Sequence, residues 1–465
     1  MSLPRALVDR LIALAGPGGA LAADAERARY EEDFRHLYHG KSALVLRPDS
    51  VAAVSALMAL AARERIAIVP FGGNTSYCGG ATVDTSGAQV VMSLERLNTI
   101  RQVDAAGYTI TVDAGCVLAD VQRAASEAGR LLALSLGSEG TCQIGGTLST
   151  NAGGTSVLRY GMMREQVLGL EVVLPDGRLL NQLSALRKDN TGYDVKQWFL
   201  GAEGTLGIIT GACLKLRPLP HSTLTAMAGI EGLAAAVRLL SRLRDAFGES
   251  VTAFEYLPAV AVELARRHVP GARLALTEPA PAYVLIEVDG ADTPAGHERL
   301  LAALDSAQEI AVAQSLDQAQ AMWFLREHIP EAQKREGASL KHDVALPIAR
   351  LADFTAAAAR RLDALVPGAR VVAYGHVGDG NLHFNLSPRP GDSGGELLAA
   401  EHAVRRAVHD LVAEFGGSFS AEHGIGRLKV DELERYEDPV ALDLMRALKR
   451  AIDPQGIMNP GKVLR

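Results

Sequence analysis

Two short segments of the chain carry side chains that could bind a metal ion and move a proton. His376 and His383 flank a glycine-rich turn in residues 374–383, and Glu422 and His423 lie together in residues 420–424. Catalytic zinc centres use three nitrogen or oxygen ligands and keep one position open for substrate. A neutral histidine beside that position can accept a proton. The two segments therefore suit a metal site with a base next to it.

The local sequence indicates how such a set could assemble, and it leaves simpler interpretations open. Because side chains alternate along a strand, His376 and His383 would lie on opposite faces of one continuous strand, so the glycines between them must let the chain fold back. In a strand over residues 382–386, Asn385 shares a face with His383 and can reach what it holds. Either histidine alone could instead be a hydrogen-bonded core residue, and His423 could orient a ligand rather than act as the base.

Composition limits the class of protein. The 465 residues are 48% hydrophobic and carry a net charge of -7, which is typical of a globular chain with about two or three domains. The sequence contains no run of Lys or Arg that could follow a phosphate backbone, so it predicts no nucleic-acid partner. The four cysteines form no Cys-x-x-Cys pair, and no apolar run has the length of a signal peptide core or a membrane span. We therefore expect a cytoplasmic protein.

The N-terminal part predicts alternating helices and strands. Asp49 or Ser50 can cap a helix over residues 51–63, and a strand predicted at residues 66–69 leads into a glycine-rich loop. Further strands are predicted at residues 89–94, 100–103 and 108–112. The pattern changes after residues 218–220, where we place a domain boundary.

Two glycine-rich loops give a second chemical signal. They occupy residues 70–80 and residues 136–146, and the second continues into residues 151–154. Glycine lets a backbone approach a pyrophosphate closely, and the Asn, Ser and Thr residues of both loops offer further donors. Ordinary tight turns would explain either loop alone, but the pair favours a cofactor that carries phosphate. A Rossmann nicotinamide site has no support, because the chain lacks Gly-x-Gly-x-x-Gly.

These motifs extend to a resemblance over nearly the whole chain. The two loops, together with residues 187–194 and 203–210, resemble the FAD-binding half of the vanillyl-alcohol-oxidase-type flavoproteins. Residues 374–383 and 420–424 resemble the C-terminal half of their D-2-hydroxyacid dehydrogenase branch. The resemblance implies an α+β protein with a two-subdomain FAD-binding domain and an α+β cap domain built on an antiparallel sheet. The implied domains are residues 1–218 for FAD with an N-terminal helical segment, 219–440 for substrate and metal, and 441–465 for a C-terminal segment that returns to the FAD domain.

The resemblance also implies which residues perform the chemistry. The ligands of a divalent metal, with zinc favoured, would be His376, His383 and Glu422. His423 would be the catalytic base. The residues that bind the substrate would be Arg326, Lys341 and Asn385. The residues that bind FAD would be Pro70, Gly72, Gly73, Asn74, Thr75, Gly79, Gly80, Gly137, Gly140, Thr141, Gly145, Gly146, Asn151, Gly153, Gly154, Gly204, Gly207, Ile208 and Asn459.

Considered without the resemblance, two of the substrate-binding residues would more simply be structural. Arg326 could lie on a solvated helix face. Lys341 could pair with Asp343, because strand alternation would put both on one face.

The implied activity is oxidation of a D-2-hydroxy acid to the 2-oxo acid, with hydride transfer to N5 of FAD. D-2-hydroxyglutarate is the favoured substrate, because Lys341 could meet a second carboxylate that D-lactate lacks. Pro330 is a departure, since the hydroxyglutarate enzymes of this branch tend to have a threonine there. D-lactate therefore stays an alternative substrate.

The remaining expectations concern the electron acceptor, the oligomeric state and two alternative classes of protein. Reduced FAD, bound non-covalently, would be reoxidised by an acceptor such as an electron-transfer flavoprotein or a quinone, and a homodimer is a further expectation. A zinc hydrolase without flavin could use the same His-His-Glu set with an activated water. A flavin-binding or metal-storage protein without catalysis is the third class.

Overall fold

The computed structural model describes residues 3–465 and divides the chain into two compact units. Unit 1 comprises the chain up to Gly154 together with Gly161–Leu219 and Glu422–Arg465. Unit 2 comprises Thr155–Tyr160 and Pro220–Ala421. Within residues 3–465, every helix is too short or too polar to span a bilayer.

Strands and helices alternate along much of the chain. The strands are β1 (Ala20–Leu21), β2 (Leu44–Leu46), β3 (Ile68–Phe71), β4 (Val90–Ser93), β5 (Ile100–Asp104), β6 (Thr109–Asp113), β7 (Arg130–Leu131), β8 (Val167–Val173), β9 (Leu179–Gln182), β10 (Ile208–Lys215), β11 (Arg217–Pro218), β12 (Thr223–Ile230), β13 (Val251–Pro258), β14 (Ala282–Asp289), β15 (Glu309–Val312), β16 (Asp343–Ala345), β17 (Arg370–Tyr374) and β18 (Asn381–Ser387). The α-helices are α1 (Arg5–Ala15), α2 (Asp24–Arg27), α3 (Val51–Glu64), α4 (Leu118–Glu127), α5 (Ile144–Ser149), α6 (Val157–Tyr160), α7 (Met163–Gln166), α8 (Leu233–Phe247), α9 (Ala259–His268), α10 (Pro294–Ala303), α11 (Leu316–Glu327), α12 (Ile329–Glu336), α13 (Leu351–Leu365), α14 (Gly395–Ala399), α15 (Glu401–Glu414), α16 (Val430–Tyr436) and α17 (Pro439–Ile452). Single 3-10 turns lie at Ala28–Tyr30, Val195–Trp198, Gly248–Ser250 and Ile348–Arg350.

Unit 1 is built on two main sheets, which agrees with the two-subdomain architecture that the resemblance implies. In the first sheet, β2, β4 and β3 are parallel, and β1 joins the edge in the antiparallel direction. In the second sheet, the order β5-β6-β10-β8-β9 is antiparallel throughout. A large apolar cluster packs α3, α4 and α5 against these strands.

Helix α3 shows how local sequence sets an element in place. The side chain of Ser50 accepts a hydrogen bond from the N–H of Ala53 at 3.3 Å, which caps the helix as predicted. Val54, Leu57 and Met58 lie on its buried face with the spacing of a helix. The helix ends before Arg65, and β3 then runs directly into the first glycine-rich loop.

Unit 2 contains the antiparallel sheet that the resemblance implied. Its order is β13-β14-β12-β15, and a smaller sheet has the order β16-β18-β17. Along β14, Val284 and Ile286 enter one apolar cluster, whereas Tyr283 and Leu285 enter another. Alternate side chains of the strand thus fill cores on both faces of the sheet. Together with unit 1, this architecture confirms the predicted α+β class.

The C-terminal part of the predicted cap domain differs from the structure. The resemblance assigned residues 422–440 to the cap, but they belong to unit 1. The reason is a network of backbone contacts. The N–H groups of Ile425 and Gly426 donate to the carboxylate of Glu203, and that of Arg427 donates to the carbonyl oxygen of Cys78 at 2.8 Å.

Candidate active site

The glycine-rich turn of unit 2 brings two histidine rings together. Tyr374, the last residue of β17, is the register partner of His383 in β18, and the turn between them begins at Gly375 (φ 125°) and ends at Gly380 (φ 90°). Such positive φ values favour glycine. The ring centroids of His376 and His383 lie 5.4 Å apart. Two imidazoles from separate positions of the chain therefore face one region.

A buried glutamate lies behind the first of these rings. Gly375 exchanges backbone hydrogen bonds with Tyr256 of β13, at 2.9 and 3.0 Å, and this pairing sets Glu255 beside His376. The Oε1 atom of Glu255 lies 2.6 Å from Nδ1 of His376. Glu255 is 1% exposed. No motif marked this residue in the sequence, because its partners come from distant parts of the chain.

The same glutamate also holds Arg326 of α11. Its Oε2 atom accepts a hydrogen bond from Nε of Arg326 at 2.5 Å, and Nη2 of Arg326 lies 3.3 Å from Nε2 of His376. Burial alone raises the pKa of Glu255, but Arg326 and His376 outweigh it, so the pKa of this carboxyl is lowered. Arg326 is only 6% exposed, which excludes a solvated helix face.

A second carboxylate lies behind the ring of His383. Asp343 of β16 is the register partner of His383, and its Oδ1 atom lies 3.8 Å from Nδ1 of that ring. Asp343 is buried and also accepts a hydrogen bond from the side chain of Asn381 at 2.9 Å. The pairing with β18 keeps one register from Asp343 back to Leu340, which pairs with Leu386, so the alternation expected of Lys341 with Asp343 agrees with the backbone; Lys341 itself is exposed.

Asn385 is held by neighbouring groups of the protein. It lies two residues after His383 in β18, on the face that strand alternation predicts. Its Nδ2 donates to Oε1 of Gln333 at 2.9 Å, and its Oδ1 accepts from the N–H of His342 at 3.3 Å. These contacts fix the orientation of the Asn385 amide beside the histidine pair.

Glu422 and His423, the predicted third metal ligand and the predicted base, lie in unit 1, and each contacts other residues of that unit. The N–H of Gly154 donates to Oε1 of Glu422 at 2.8 Å. The ring of Tyr77 stacks on His423, with centroids 4.6 Å apart and an interplanar angle of 28°. Burial raises the pKa of Tyr77, so its ring packs against His423 as a neutral group. The imidazole of His423 is thereby restricted in rotation.

Glu203 fixes the turn that follows His423, and sequence reasoning did not assign it this role. Its carboxylate accepts the N–H groups of Ile425 and Gly426 at 2.7 and 2.8 Å. A Cβ at Gly424 would lie 2.6 Å from Oε1 of Glu203, and the φ of 68° at this residue also favours glycine. Burial raises the pKa of Glu203 to about 7, although the two backbone donors and Lys429 act in the opposite direction.

The glycine-rich loops of unit 1 lie against each other, and part of their glycine content is required by the protein itself. A Cβ at Gly73 would lie 2.3 Å from the carbonyl oxygen of Thr141, so the two loops can meet only at a glycine. A Cβ at Gly204 would lie 2.9 Å from Cγ of Pro70. Gly154 is needed for a similar reason, since its Cβ would collide with Ser135.

Other glycines of the same loops have no such reason in the described chain. A Cβ at Gly137, Gly140 or Gly146 would meet no atom within 4 Å among residues 3–465, and their φ angles are not positive. The side-chain oxygens of Gln143 and Asn459 are buried without a hydrogen-bond partner in that part of the chain. Open space beside glycine backbone, together with two buried acceptors in the same unit, fits a bound cofactor that carries hydroxyl and N–H donors, as FAD does.

Asn459 joins the C-terminal segment to the loops. Its Nδ2 donates to the carbonyl oxygens of Gly80 and Glu203, at 3.0 and 2.8 Å. The residue adopts a left-handed conformation with φ 44°, which asparagine tolerates better than most residues. The segment thus returns to the predicted FAD loops within unit 1.

Comparison with known proteins agrees with this division of the chain. The family model described as "FAD binding domain" matches residues 42–182, and the family model described as "FAD linked oxidases, C-terminal domain" matches residues 219–463. Mitochondrial D-2-hydroxyglutarate dehydrogenase of Rattus norvegicus is 38% identical over 96% of this chain and 83% of that protein. The D-2-hydroxyglutarate dehydrogenase of Bos taurus is also 38% identical, over 96% of this chain and 81% of that protein. The D-2-hydroxyglutarate–pyruvate transhydrogenase of Saccharomyces cerevisiae is 35% identical, over 95% and 90%.

Solved structures show the same fold at lower identity. The structure of p-cresol methylhydroxylase with substrate bound aligns with a TM-score of 0.77 at 17% identity, over 99% of this chain and 97% of that chain. The chain belongs to the FAD-linked oxidases of the vanillyl-alcohol-oxidase type, in the D-2-hydroxyacid dehydrogenase family that contains the D-2-hydroxyglutarate dehydrogenases. It is therefore an FAD-dependent oxidoreductase, which excludes a hydrolase without flavin and a protein without catalysis.

One expectation from the sequence is overturned by these relatives. The cysteine pattern and the lack of a recognisable signal segment suggested a cytoplasmic protein. The relatives from Rattus norvegicus, Bos taurus and Arabidopsis thaliana are named as mitochondrial enzymes, so the cytoplasmic prediction is wrong. Cysteine usage separates reducing from oxidising compartments and does not separate one reducing compartment from another.

Proposed function

We propose that this enzyme oxidises D-2-hydroxyglutarate to 2-oxoglutarate with FAD and a divalent metal ion, for which zinc is the first candidate. The observation that carries the proposal is the pair His376 and His383, whose rings lie 5.4 Å apart with a carboxylate behind each. Carboxylate–histidine pairs of this kind commonly orient metal ligands. The names of the relatives support the substrate.

The FAD would be held non-covalently by the glycine-rich loops of unit 1. The backbone beside Gly137, Gly140 and Gly146 has the open space for it. Burial raises the pKa of Cys142, so its thiol stays protonated and is a poor nucleophile for covalent attachment. FAD, when bound, takes up the hydride from C2 of the substrate at its N5 atom.

The metal would take its ligands from both histidines and from Glu422. Chain continuity supports the third ligand, because the N–H of Ala421, the residue before Glu422, donates to the carbonyl oxygen of Asp343 at 3.3 Å. Nitrogen and carboxylate donors in this number suit zinc. The ion, when bound, makes the hydroxyl of the substrate more acidic.

His423 would accept the proton of the C2 hydroxyl as the hydride leaves C2. Its stacking on Tyr77 and the turn fixed by Glu203 hold the imidazole in one orientation. A neutral histidine held in this way can accept a proton as a general base.

The carboxylates of the substrate would meet Arg326, Lys341 and the amide of Asn385. Lys341 is exposed and lies before β16, where it could meet the second carboxylate of D-2-hydroxyglutarate. Pro330 occupies the first turn of α12, a position that suits proline, so this residue adds no hydroxyl for the substrate. D-lactate stays the second candidate substrate for that reason.

An electron-transfer flavoprotein or a quinone would reoxidise the flavin, and a homodimer is compatible with this activity.

A cofactor and metal analysis tests the proposal. Acid precipitation of the purified protein should release FAD, and the native protein should contain about one divalent ion per chain. His383→Ala should retain FAD and lose both the metal and most of kcat. FMN in the supernatant, or full activity after removal of the metal by a chelator, would contradict the proposal.

A further inference from the structure

Glu255 touches two side chains that the proposed reaction uses, with a separate oxygen for each. Oε1 lies 2.6 Å from Nδ1 of His376, and Oε2 accepts from Nε of Arg326 at 2.5 Å. All three residues are buried, with exposures of 1% for Glu255, 7% for His376 and 6% for Arg326. A carboxylate shared in this way fixes its two partners relative to each other.

We propose that Glu255 is the positioning residue of the metal and substrate site, and this inference rests on the proposed function. An acceptor at Nδ1 selects the tautomer of His376 that carries its proton there, which leaves Nε2 as the ligand atom. The guanidinium of Arg326 is rigid and planar, so a contact at Nε sets the direction of its terminal nitrogens. Glu255 thereby orients the ligand of the metal and the cation for the substrate together.

Charge gives Glu255 a second role at the same place. Nη2 of Arg326 lies 3.3 Å from Nε2 of His376 and donates to the lone pair that would bind the metal, so a metal ion at Nε2 would replace this hydrogen bond and leave the guanidinium beside it. A guanidinium this close would repel a divalent cation. The carboxylate of Glu255 offsets that positive charge, and in a buried site such an offset is large. The site can therefore hold a cation for the substrate and a metal ion side by side.

A purely structural role for Glu255 would be the alternative. Glu255 connects β13 to α11 and to the turn after β17, and removal of such a contact could destabilise unit 2 without affecting the chemistry. Glu287 offers a matched control. It lies on the neighbouring strand β14 and accepts hydrogen bonds from Trp323 of α11 at 2.6 Å and from Thr225 at 3.1 Å. Glu287 therefore ties the same sheet to the same helix without contacting His376.

The experiment compares Glu255→Gln with Glu287→Gln in the full-length, FAD-loaded enzyme stripped of metal. The amide of glutamine can accept at only one end, so it cannot serve both donors. Zinc is titrated against a chromophoric chelator, and 2-oxoglutarate binding is measured in the zinc-loaded protein. Glu255→Gln should raise the Kd for zinc roughly 10- to 100-fold and weaken 2-oxoglutarate binding, with FAD content unchanged. Glu287→Gln should leave both constants as in the wild type.

The outcomes separate this inference from the proposed function. A folded Glu255→Gln enzyme with wild-type constants for zinc and 2-oxoglutarate would overturn the inference alone. A wild-type enzyme that binds no zinc would overturn the proposed function and the inference with it. If Glu255→Gln does not fold, Glu255→Asp keeps the charge but is shorter by one methylene group and cannot reach both partners. The same rise in the Kd for zinc is then expected, and an unchanged Kd would count against the positioning role.

Discussion

The two units of this enzyme form their binding groups in opposite ways. In unit 1, most residues of the predicted cofactor site are glycines and small polar residues that follow one another in two loops. In unit 2, the candidate site consists of charged side chains that come from β13, α11, β16 and β18. A site of the first kind leaves a mark in the local sequence, whereas a site of the second kind depends on tertiary pairing.

The sharpest test of this contrast separates the base from the metal ligands. His423→Ala removes the proposed base of unit 1 and leaves the histidine pair of unit 2 intact. We expect flavin reduction by D-2-hydroxyglutarate to slow by roughly 10²- to 10⁴-fold, the effect of losing a general base. Stopped-flow absorbance measures the rate, and metal analysis should show unchanged content. Loss of the metal in this variant would make His423 a ligand or the residue that orients one.

A second test concerns the outer carboxylate of the substrate. Lys341→Ala should reduce kcat/KM for D-2-hydroxyglutarate far more than for D-lactate, because a hydrogen bond to a charged group is worth roughly 1.5–3 kcal/mol. Steady-state kinetics with both acids measures the difference. Lys334→Ala, on the last turn of α12, is the control and should affect neither acid. Equal losses of kcat/KM for the two acids with Lys341→Ala would contradict a contact between Lys341 and the second carboxylate.

The glycines of unit 1 offer a test of space rather than charge. Gly146→Ala adds a methyl group where no atom of the described residues lies within 4 Å, so the protein should fold and bind FAD more weakly. Overpacking against a bound group costs roughly 1–3 kcal/mol. Gly73→Ala is the contrasting variant, since its Cβ would lie 2.3 Å from the carbonyl oxygen of Thr141.

These two variants should therefore lose different properties: Gly146→Ala should lose affinity for FAD, and Gly73→Ala should lose stability. Gly146→Ala should lower the affinity for FAD in a titration of the apoprotein, with little change in the unfolding of that apoprotein. Gly73→Ala should lower the unfolding temperature with or without FAD. If Gly146→Ala bound FAD as tightly as the wild type, the open space beside this glycine would not be the cofactor site.

The smallest expected effect is a pH dependence of stability from Glu203. Its pKa is raised from 4.5 to about 7 in the folded protein, so the folded state binds an extra proton between these two pH values. The contribution of this group to stability therefore decreases as pH rises from about 4.5 to about 7 and is constant above that range. Glu203→Gln does not titrate, so the difference in Tm between variant and wild type should shift in favour of the variant across this window. Each kcal/mol corresponds to about 2–4 °C for a domain of about 150–250 residues. A difference that does not change with pH would mean that Glu203 is ionised throughout.

Much of the fold and some of the candidate site could be predicted from the sequence, for local reasons. Ser50 precedes an apolar pattern of helical period, which predicted α3 and its cap. The glycines between His376 and His383 predicted a reversal of the chain, and the positive φ of Gly380 agrees with it. The glycine-rich loops predicted a cofactor that carries phosphate, and the FAD-binding domain match confirms FAD.

The remainder depends on contacts that local sequence does not record. Glu255 acquires its partners only when β13 pairs with the turn after β17, and Glu203 acquires its role only when the C-terminal turn returns to unit 1. The alternation expected around Lys341 agrees with the pairing of Leu340 with Leu386, but the contacts of Asp343 with His383 and Asn381 depend on the neighbouring strand. Buried charged residues in single strands carry no periodic signal, so their roles appear only in the folded structure.

Anaerobic reduction of the flavin tests the central claim most directly. The purified enzyme is mixed without oxygen with D-2-hydroxyglutarate or D-lactate, and the flavin absorbance is recorded with native metal, after chelation and after zinc is restored. We predict rapid bleaching by D-2-hydroxyglutarate, slower bleaching by D-lactate, loss of both on chelation and recovery with zinc. Bleaching that survives complete removal of the metal, or a flavin that only D-lactate reduces, would contradict the account.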